Sequence, residues 1–261
     1  MVNLSFAFFG CTNYSKELLL FLINKKFRPK AIFSSPSNFT ISYSDKKVKN
    51  FNYANLREIA DKNNIPFYEI DSVDGKRTKD FISVIKKLDL DLMLILGWFY
   101  KVPKSIRDLS KLGAWGIHAS LLPKYAGGSP LTWAIINGEK HTGITLFRLD
   151  DGIDNGDIIS QKKFSIEDQD TIKEVYEKAT NLSKEVLLNA LQNKNNINFT
   201  SQDKSKIEVY PQRKPEDGEI SLKKTAEEIY NFIRAQSSPY PGAYIKTKDG
   251  KKIIIEKVRI E

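Results

Sequence analysis

Short apolar runs that stop at a glycine or a turn recur along the first half of the chain. Residues 4–9 end at Gly10, residues 90–96 precede Gly97, and residues 113–118 run from Gly113 to His118. Runs of this length bounded by turn residues predict buried strands. Residues 31–33 and 66–68 predict two shorter ones. Between them the apolar spacing widens to a helical period. Leu18, Leu19, Phe21 and Leu22 follow Ser15, which is suited to cap a helix, and residues 53–63 and 79–87 predict two more helices. Residues 34–52 are rich in Ser, Asn and Lys and predict a mobile loop. Strands alternating with helices predict an α/β fold with a Rossmann-like, mostly parallel sheet flanked by helices.

The second half changes rhythm. Residues 130–137 predict a helix, and residues 143–149 and 158–164 predict paired strands around an Asp/Gly loop. Asp170 is placed to cap a long helix over 171–191, whose apolar side carries Ile172, Val175, Ala179, Leu182, Val186 and Leu187. The polar stretch 192–206 marks a linker. Beyond it come a helix over 225–235 and two strands, 243–247 and 252–258, joined through Asp249-Gly250, a strong hairpin signal. The expected organisation is one domain over 1–205 and a small C-terminal appendage, helix plus β-hairpin, over 206–261. Ile253 to Ile255 on the terminal strand offer an edge for pairing with a second chain, which leaves a homodimer open beside packing onto the main domain.

Composition narrows the function classes. The chain has 261 residues, enough for a full core, and a formal net charge of +9. Such a field favours anionic partners such as nucleotides. The excess is spread thinly, without the dense basic arm that grips a nucleic acid backbone, so nucleic acid is disfavoured. No apolar run approaches the roughly 20 residues of a spanning helix, which argues against a membrane. No secretory leader is visible, and the single cysteine, Cys11, cannot form an internal disulfide. A cytoplasmic location is expected. Two histidines and one cysteine make no zinc-ligand cluster, so no metal is expected.

Ligands of open α/β sheets bind outside the carboxyl ends of the strands. Three segments converge there: residues 96–100 (L-G-W-F-Y), the turn after His118, and the loop 151–157. The first offers flat aromatic surface and a glycine that lets a ligand approach backbone. The other two bring a histidine and carboxylates together, the minimum equipment for proton transfer at neutral pH. The turn after Gly10 is not G-x-G-x-x-G, which disfavours a nicotinamide cofactor. Ser120 lacks a nucleophile elbow and is disfavoured as a nucleophile.

At these residues the chain resembles the folate-dependent formyltransferases. The likeness lies in H-A-S-L-L-P-K-Y-A-G-G-S-P-L (118–131), N-G-E (137–139), T-G-I-T-L (142–146), D-G-I-D-N-G-D-I (151–158), Y-P-Q-R-K-P-E-D-G (210–218) and I-R-A-Q-S-S-P-Y-P-G-A (233–243). The tail is most similar to the enzymes that formylate nucleotide-linked amino sugars for surface glycans such as lipopolysaccharide. The resemblance implies that residues 1–205 form the catalytic domain and that N10-formyltetrahydrofolate is the formyl donor. It places the pterin against Leu96, Gly97 and Trp98 and against the loop from Asp151 to Asp154. His118 would manage the proton and help stabilise the tetrahedral oxyanion. Asp154 would orient the imidazole, with Asp157 as second candidate. The implied acceptor is a nucleotide-linked amino sugar. Methionyl-tRNA formylation is the alternative, disfavoured by a tail short for a tRNA-binding barrel. A catalytically impaired homologue that binds folate or a nucleotide sugar is the third reading. Two departures bear on it: Gly116 stands where the family has Asn, a donor to the oxyanion, and Ala126 stands where it has Arg. Either the missing Asn is a true loss of an oxyanion donor, or glycine is needed there for a positive φ or for space and another group, such as an ordered water or Asn13, holds the oxyanion.

Overall fold

The computed structural model describes residues 4–41, 44–50, 52–71 and 76–261. The first half contains β1 (Phe6–Phe9), α1 (Asn13–Asn24), β2 (Ala31–Ser34), β3 (Asn38–Ile41), β4 (Ser44–Lys49), α2 (Arg57–Lys62), β5 (Phe67–Glu69), α3 (Ile82–Lys87), β6 (Leu92–Ile95), α4 (Lys104–Arg107) and β7 (Ala114–His118). It continues with β8 (Ala126–Gly127), α5 (Pro130–Ile136), β9 (His141–Arg148), β10 (Ile158–Ser165), α6 (Ile172–Gln192), β11 (Val209–Tyr210), α7 (Ala226–Ala235), β12 (Ala243–Lys246) and β13 (Lys252–Ile255).

Seven strands form the main sheet in the order β10-β9-β7-β6-β1-β2-β5. The five from β7 to β5 are parallel, and β9 and β10 extend the sheet antiparallel. The apolar runs lie at its centre because both of their faces are covered. Side chains alternate across a strand. Phe6, Phe8, Ile32, Leu92 and Leu94 therefore face one way, into a core shared with Leu18, Leu131 and Val186 of the flanking helices. Ala7, Phe9, Phe33, Met93 and Ile95 face the other way, against Ile85 and Ile106. The edge strand β10 alternates partly buried and exposed positions along much of its length, as one solvated face requires.

Local chemistry corrects several expectations. Thr12, not Ser15, caps α1. Ser15 is the third helical residue of a reciprocal capping box, with its hydroxyl on the Thr12 amide at 3.1 Å. Thr171 likewise replaces Asp170 as the cap of α6, with Glu174 closing the box. Asp170 precedes it and takes an ion pair from Lys178. The helix expected over 79–87 begins as a tighter turn, Lys76–Phe81, before α3, and the one expected over 53–63 is confined to α2. Residues 34–52 are not simply a loop. They contain the antiparallel pair β3–β4, with 42, 43 and 51 outside the described residues. This hairpin is held by distant partners. Phe39 stacks on Phe99 at 5.0 Å, the Thr40 amide donates to Asp71 at 2.8 Å, and Lys47 pairs with Asp71 at 2.7 Å.

The tail returns to the sheet. After the linker, β11 pairs in parallel with β8, placing Val209 against Ala126 and Tyr210 against Gly127. Ala235 of α7 shares the main core with Leu131, Ala134 and Ile135 of α5. Buried Arg234 donates to the carbonyls of Glu167 and Asp170, 3.1 and 2.8 Å away. The β12–β13 hairpin turns at Asp249-Gly250, and Ile253 and Ile254 on β13 are half exposed. Among the described residues no helix is long and apolar enough to cross a membrane.

Candidate active site

The carboxyl end of β7 delivers His118 into a nearly closed position, 8% exposed. Its register is set on both sides, by Gly116 opposite Ile95 and His118 opposite Thr145. The chain then turns tightly. The Ser120 hydroxyl donates to the Lys124 carbonyl at 2.6 Å, and Thr145 donates to the Ser120 carbonyl at 2.7 Å, so Ser120 is a buried turn residue. Tyr125 takes a left-handed backbone (φ 56°) that aims its carbonyl back at the imidazole. His118 Nε2 donates to that carbonyl at 2.7 Å. A carbonyl only accepts, so the hydrogen sits on Nε2 and Nδ1 is the nitrogen that exchanges a proton.

Nδ1 faces Asp154, whose Oδ2 is 3.4 Å away. Asp154 also has a left-handed backbone, φ 45°. Its Oδ2 accepts from the Gly127 amide at 2.8 Å, and its carbonyl accepts from Gln202 Nε2 at 2.8 Å. Gln202 also donates to the Gly156 carbonyl at 2.7 Å, so one side chain closes the end of the loop. Non-glycine residues with positive φ cluster where surrounding structure over-determines them. Here Tyr125 and Asp154, both with positive φ, flank one histidine. The pair can accept a proton at Nδ1 and stabilise the resulting cation with the carboxylate.

The tail completes the wall of the site. Tyr210 packs on Tyr125 at 4.7 Å, Gln212 donates to the Ser129 hydroxyl at 2.8 Å, and Arg213 lies over Trp133 at 4.9 Å. The Tyr125 phenol is pushed above its ordinary range, first by burial, with Glu139 adding to it, and so stays protonated and donates to Glu139 at 2.9 Å.

Other predicted site residues are placed differently. Asp151 forms an ion pair with Arg107. Asp157 accepts from Arg148 at 3.0 Å and Ser201 at 2.8 Å, anchoring the far end of the loop. Around Leu96 and Gly97 the backbone is turned inward: the Leu96 carbonyl accepts from Ser15 at 2.6 Å, and the Gly97 carbonyl accepts from the Cys11 amide at 3.2 Å. Gly97 has φ +68°, and a β-carbon there would strike the hydroxyls of Thr12 and Ser15. The fold itself thus accounts for this glycine without any ligand. Trp98 packs edge-on against Phe9 and Tyr100, and its buried Nε1 has no hydrogen-bond partner among the described residues. That orphan donor is a polar group a heterocycle could satisfy. Burial pushes the Cys11 thiol up to about 12, so it is no nucleophile at neutral pH. Asn13 is exposed and bonded to Asn52 at 2.9 Å, and His141 is exposed. Among the described residues no group of three His, Cys, Asp or Glu could hold a metal.

The parts that hold the pair in place escaped the sequence. Arg107, Gln202 and the Tyr125 carbonyl carry no local signal. Only the Y-P-Q-R run, already conspicuous as a motif, pointed to the tail's involvement.

The structure is that of an α/β protein with a histidine facing a carboxylate outside the strand ends of a mostly parallel sheet, where ligands of such sheets bind. The chain belongs to the formyl transferase family. The family model matches residues 37–191, and that of the formyl transferase C-terminal domain matches residues 213–261. The chain is 37% identical over 212 residues to the bifunctional polymyxin resistance protein ArnA of Wigglesworthia glossinidia brevipalpis, covering 80% of this chain and 32% of that protein. It thus spans about a third of that relative's length. It is 31% identical to the methionyl-tRNA formyltransferase of Lactobacillus gasseri over 98% of this chain and 79% of that protein. Its fold is similar to the N-formyltransferase from Helicobacter canadensis in complex with folinic acid and dTDP-3-aminofucose. There the TM-score is 0.65 and the identity 23%, over 89% of this chain and 80% of that one.

Proposed function

We propose that the chain moves the formyl group of N10-formyltetrahydrofolate to the amine of a nucleotide-linked amino sugar. The observation that carries formyl transfer is the His118–Asp154 pair, 3.4 Å apart, inside a chain of the formyl transferase family. The uncharged amine attacks the formyl carbon, giving a tetrahedral oxyanion. Collapse breaks the bond from carbon to N10. The amine loses one proton and N10 gains one, and His118 Nδ1, stabilised by Asp154, carries it between them. On this reading the donor lies beside Trp98 and the loop from Asp151 to Asp154, where Trp98 Nε1 is an available hydrogen-bond donor, while Leu96 and Gly97 shape the turn beneath it.

One observation favours the sugar: a similar fold is known with folinic acid and a dTDP-linked amino sugar. Methionyl-tRNA is the second reading. The Lactobacillus gasseri relative matches 98% of this chain. Purified protein offered N10-formyltetrahydrofolate with a panel of nucleotide-linked 3-amino and 4-amino sugars, and separately with methionyl-tRNA, decides by mass spectrometry of the formamide. A formylated sugar supports the proposal, and product only from the tRNA replaces it. Folate binding without any product leaves a catalytically impaired homologue.

A further inference from the structure

Arg107 closes α4, on the far side of the loop that carries Asp154, and only 7% of its side chain is exposed. A buried guanidinium is costly unless its hydrogen bonds are made. Both of its terminal nitrogens face the entry of that loop. Nη1 donates to the Leu149 carbonyl at 2.7 Å and lies 3.9 Å from Asp150 Oδ1, and Nη2 donates to Asp151. Leu149 is also tied to the sheet through its amide, which donates to the Ala114 carbonyl at 2.8 Å. At the other end of the loop, Asp154 is fixed by the Gly127 amide and by Gln202. The segment between Leu149 and Asp154 is therefore clamped at both ends, and Arg107 is the clamp at its entry.

We propose that Arg107 is a positioning residue: by fixing Leu149 and Asp151 it sets where Asp154 meets His118. Its hydrogen bonds and ion pairs go to Leu149, Asp150 and Asp151 rather than to either member of the pair. Its planar fork serves a carbonyl and a carboxylate together, which one lysine ammonium cannot do with the same geometry.

The chain has two histidines, so their ring signals can be told apart by NMR, with His118→Ala supplying the assignment. Asp154→Asn gives the reference displacement of the His118 signals at fixed pH. In Arg107→Met the His118 signals should move in the same direction while those of His141 stay. Arg107→Lys should fall between wild type and Arg107→Met. The kinetic arm rests on the formyl-transfer reading above. There kcat should fall about 10- to 100-fold in Arg107→Met, as for a misplaced catalytic group, with KM for N10-formyltetrahydrofolate within about threefold. His118 signals unchanged in a folded Arg107→Met protein would overturn the proposal, as would a loss carried wholly by KM. Should Arg107→Met fail to fold, Arg107→Lys and Asp151→Asn carry the same readouts. If the wild type transfers no formyl group, the proposed function falls, and the ring signals still decide on Arg107.

Discussion

Leu149 stands where a side chain on Gly116 would project: a β-carbon built at 116 comes 2.7 Å from Leu149 Cδ1 and 3.4 Å from Phe147 Cε1. Gly116 is not among the residues of positive φ, so the backbone does not demand glycine there. What forbids a larger residue is space, and the space is apolar. Gly116→Asn should therefore lower both kcat and stability, the latter by about 1–3 kcal/mol as in an overfilled core. Adding Leu149→Ala should recover stability and raise kcat above that of the single variant. Denaturant melts and steady-state kinetics on the three proteins test this. A rise in kcat from Gly116→Asn alone would mean that Leu149 yields freely and the account is wrong.

His118→Ala and Asp154→Asn should each lower turnover about 10²–10⁴-fold, the range for a lost acid–base group, without loss of fold. His141 lies exposed at the start of β9, so His141→Ala should be nearly silent. Circular dichroism establishes folding, and formyl transfer is then measured. Near-normal turnover in a folded His118→Ala protein would remove the imidazole from the mechanism.

Gly97→Ala should weaken the fold more than it weakens donor binding. The residue must adopt φ +68°, and its new methyl group would meet the hydroxyls of Thr12 and Ser15. The backbone term alone costs about 1–2 kcal/mol, and the collision adds to it. Chemical denaturation should show the loss. A stable variant with a selectively raised KM for the donor would return Gly97 to the role of a ligand contact.

Asp71 ties the β3–β4 hairpin to the body of the protein through Thr40, Lys47 and Tyr100. Burial would raise its carboxyl, but the bonds from Lys47 and Thr40 outweigh it and bring the value to about 2. The unfolded value is about 3.9, so the native state binds fewer protons between the two. The stabilisation is whole above about pH 4 and is lost as pH falls towards about 2. Asp71→Asn should cost about 1–2 kcal/mol at pH 7, after allowing for the exposed lysine, and progressively less below about pH 4. Thermal melts across that range check it. A difference independent of pH would take the charge out of the explanation.

Elements that announce themselves by local pattern were legible. β1 and β6 are uninterrupted apolar runs, β7 is apolar up to His118 apart from Gly116, and α6 repeats its apolar side chains at helical spacing. The β3–β4 hairpin was not, because its polar strands depend on Phe99 and Asp71, both distant in sequence. The capping residues of α1 and α6 were misassigned for smaller reasons: Ser15 completes the box that Thr12 opens, and Asp170, itself a good cap type, stands next to Thr171. At the site, the approach of Asp154 to His118 was readable from motif and spacing. The loop after β9 was expected to hold a ligand, yet its Asp151 turns to Arg107. No pattern along a sequence reports where a single arginine on a four-residue helix will point.

The pairing of β11 with β8 bears on how the protein is made. Residues of the histidine turn leave the ribosome long before Tyr210 and Gln212, which cover it. The main sheet can assemble from the early part of the chain, since none of its seven strands comes from beyond β10. The wall around the reactive pair cannot. The histidine turn thus stays open on one side until residues 209–213 have joined the chain.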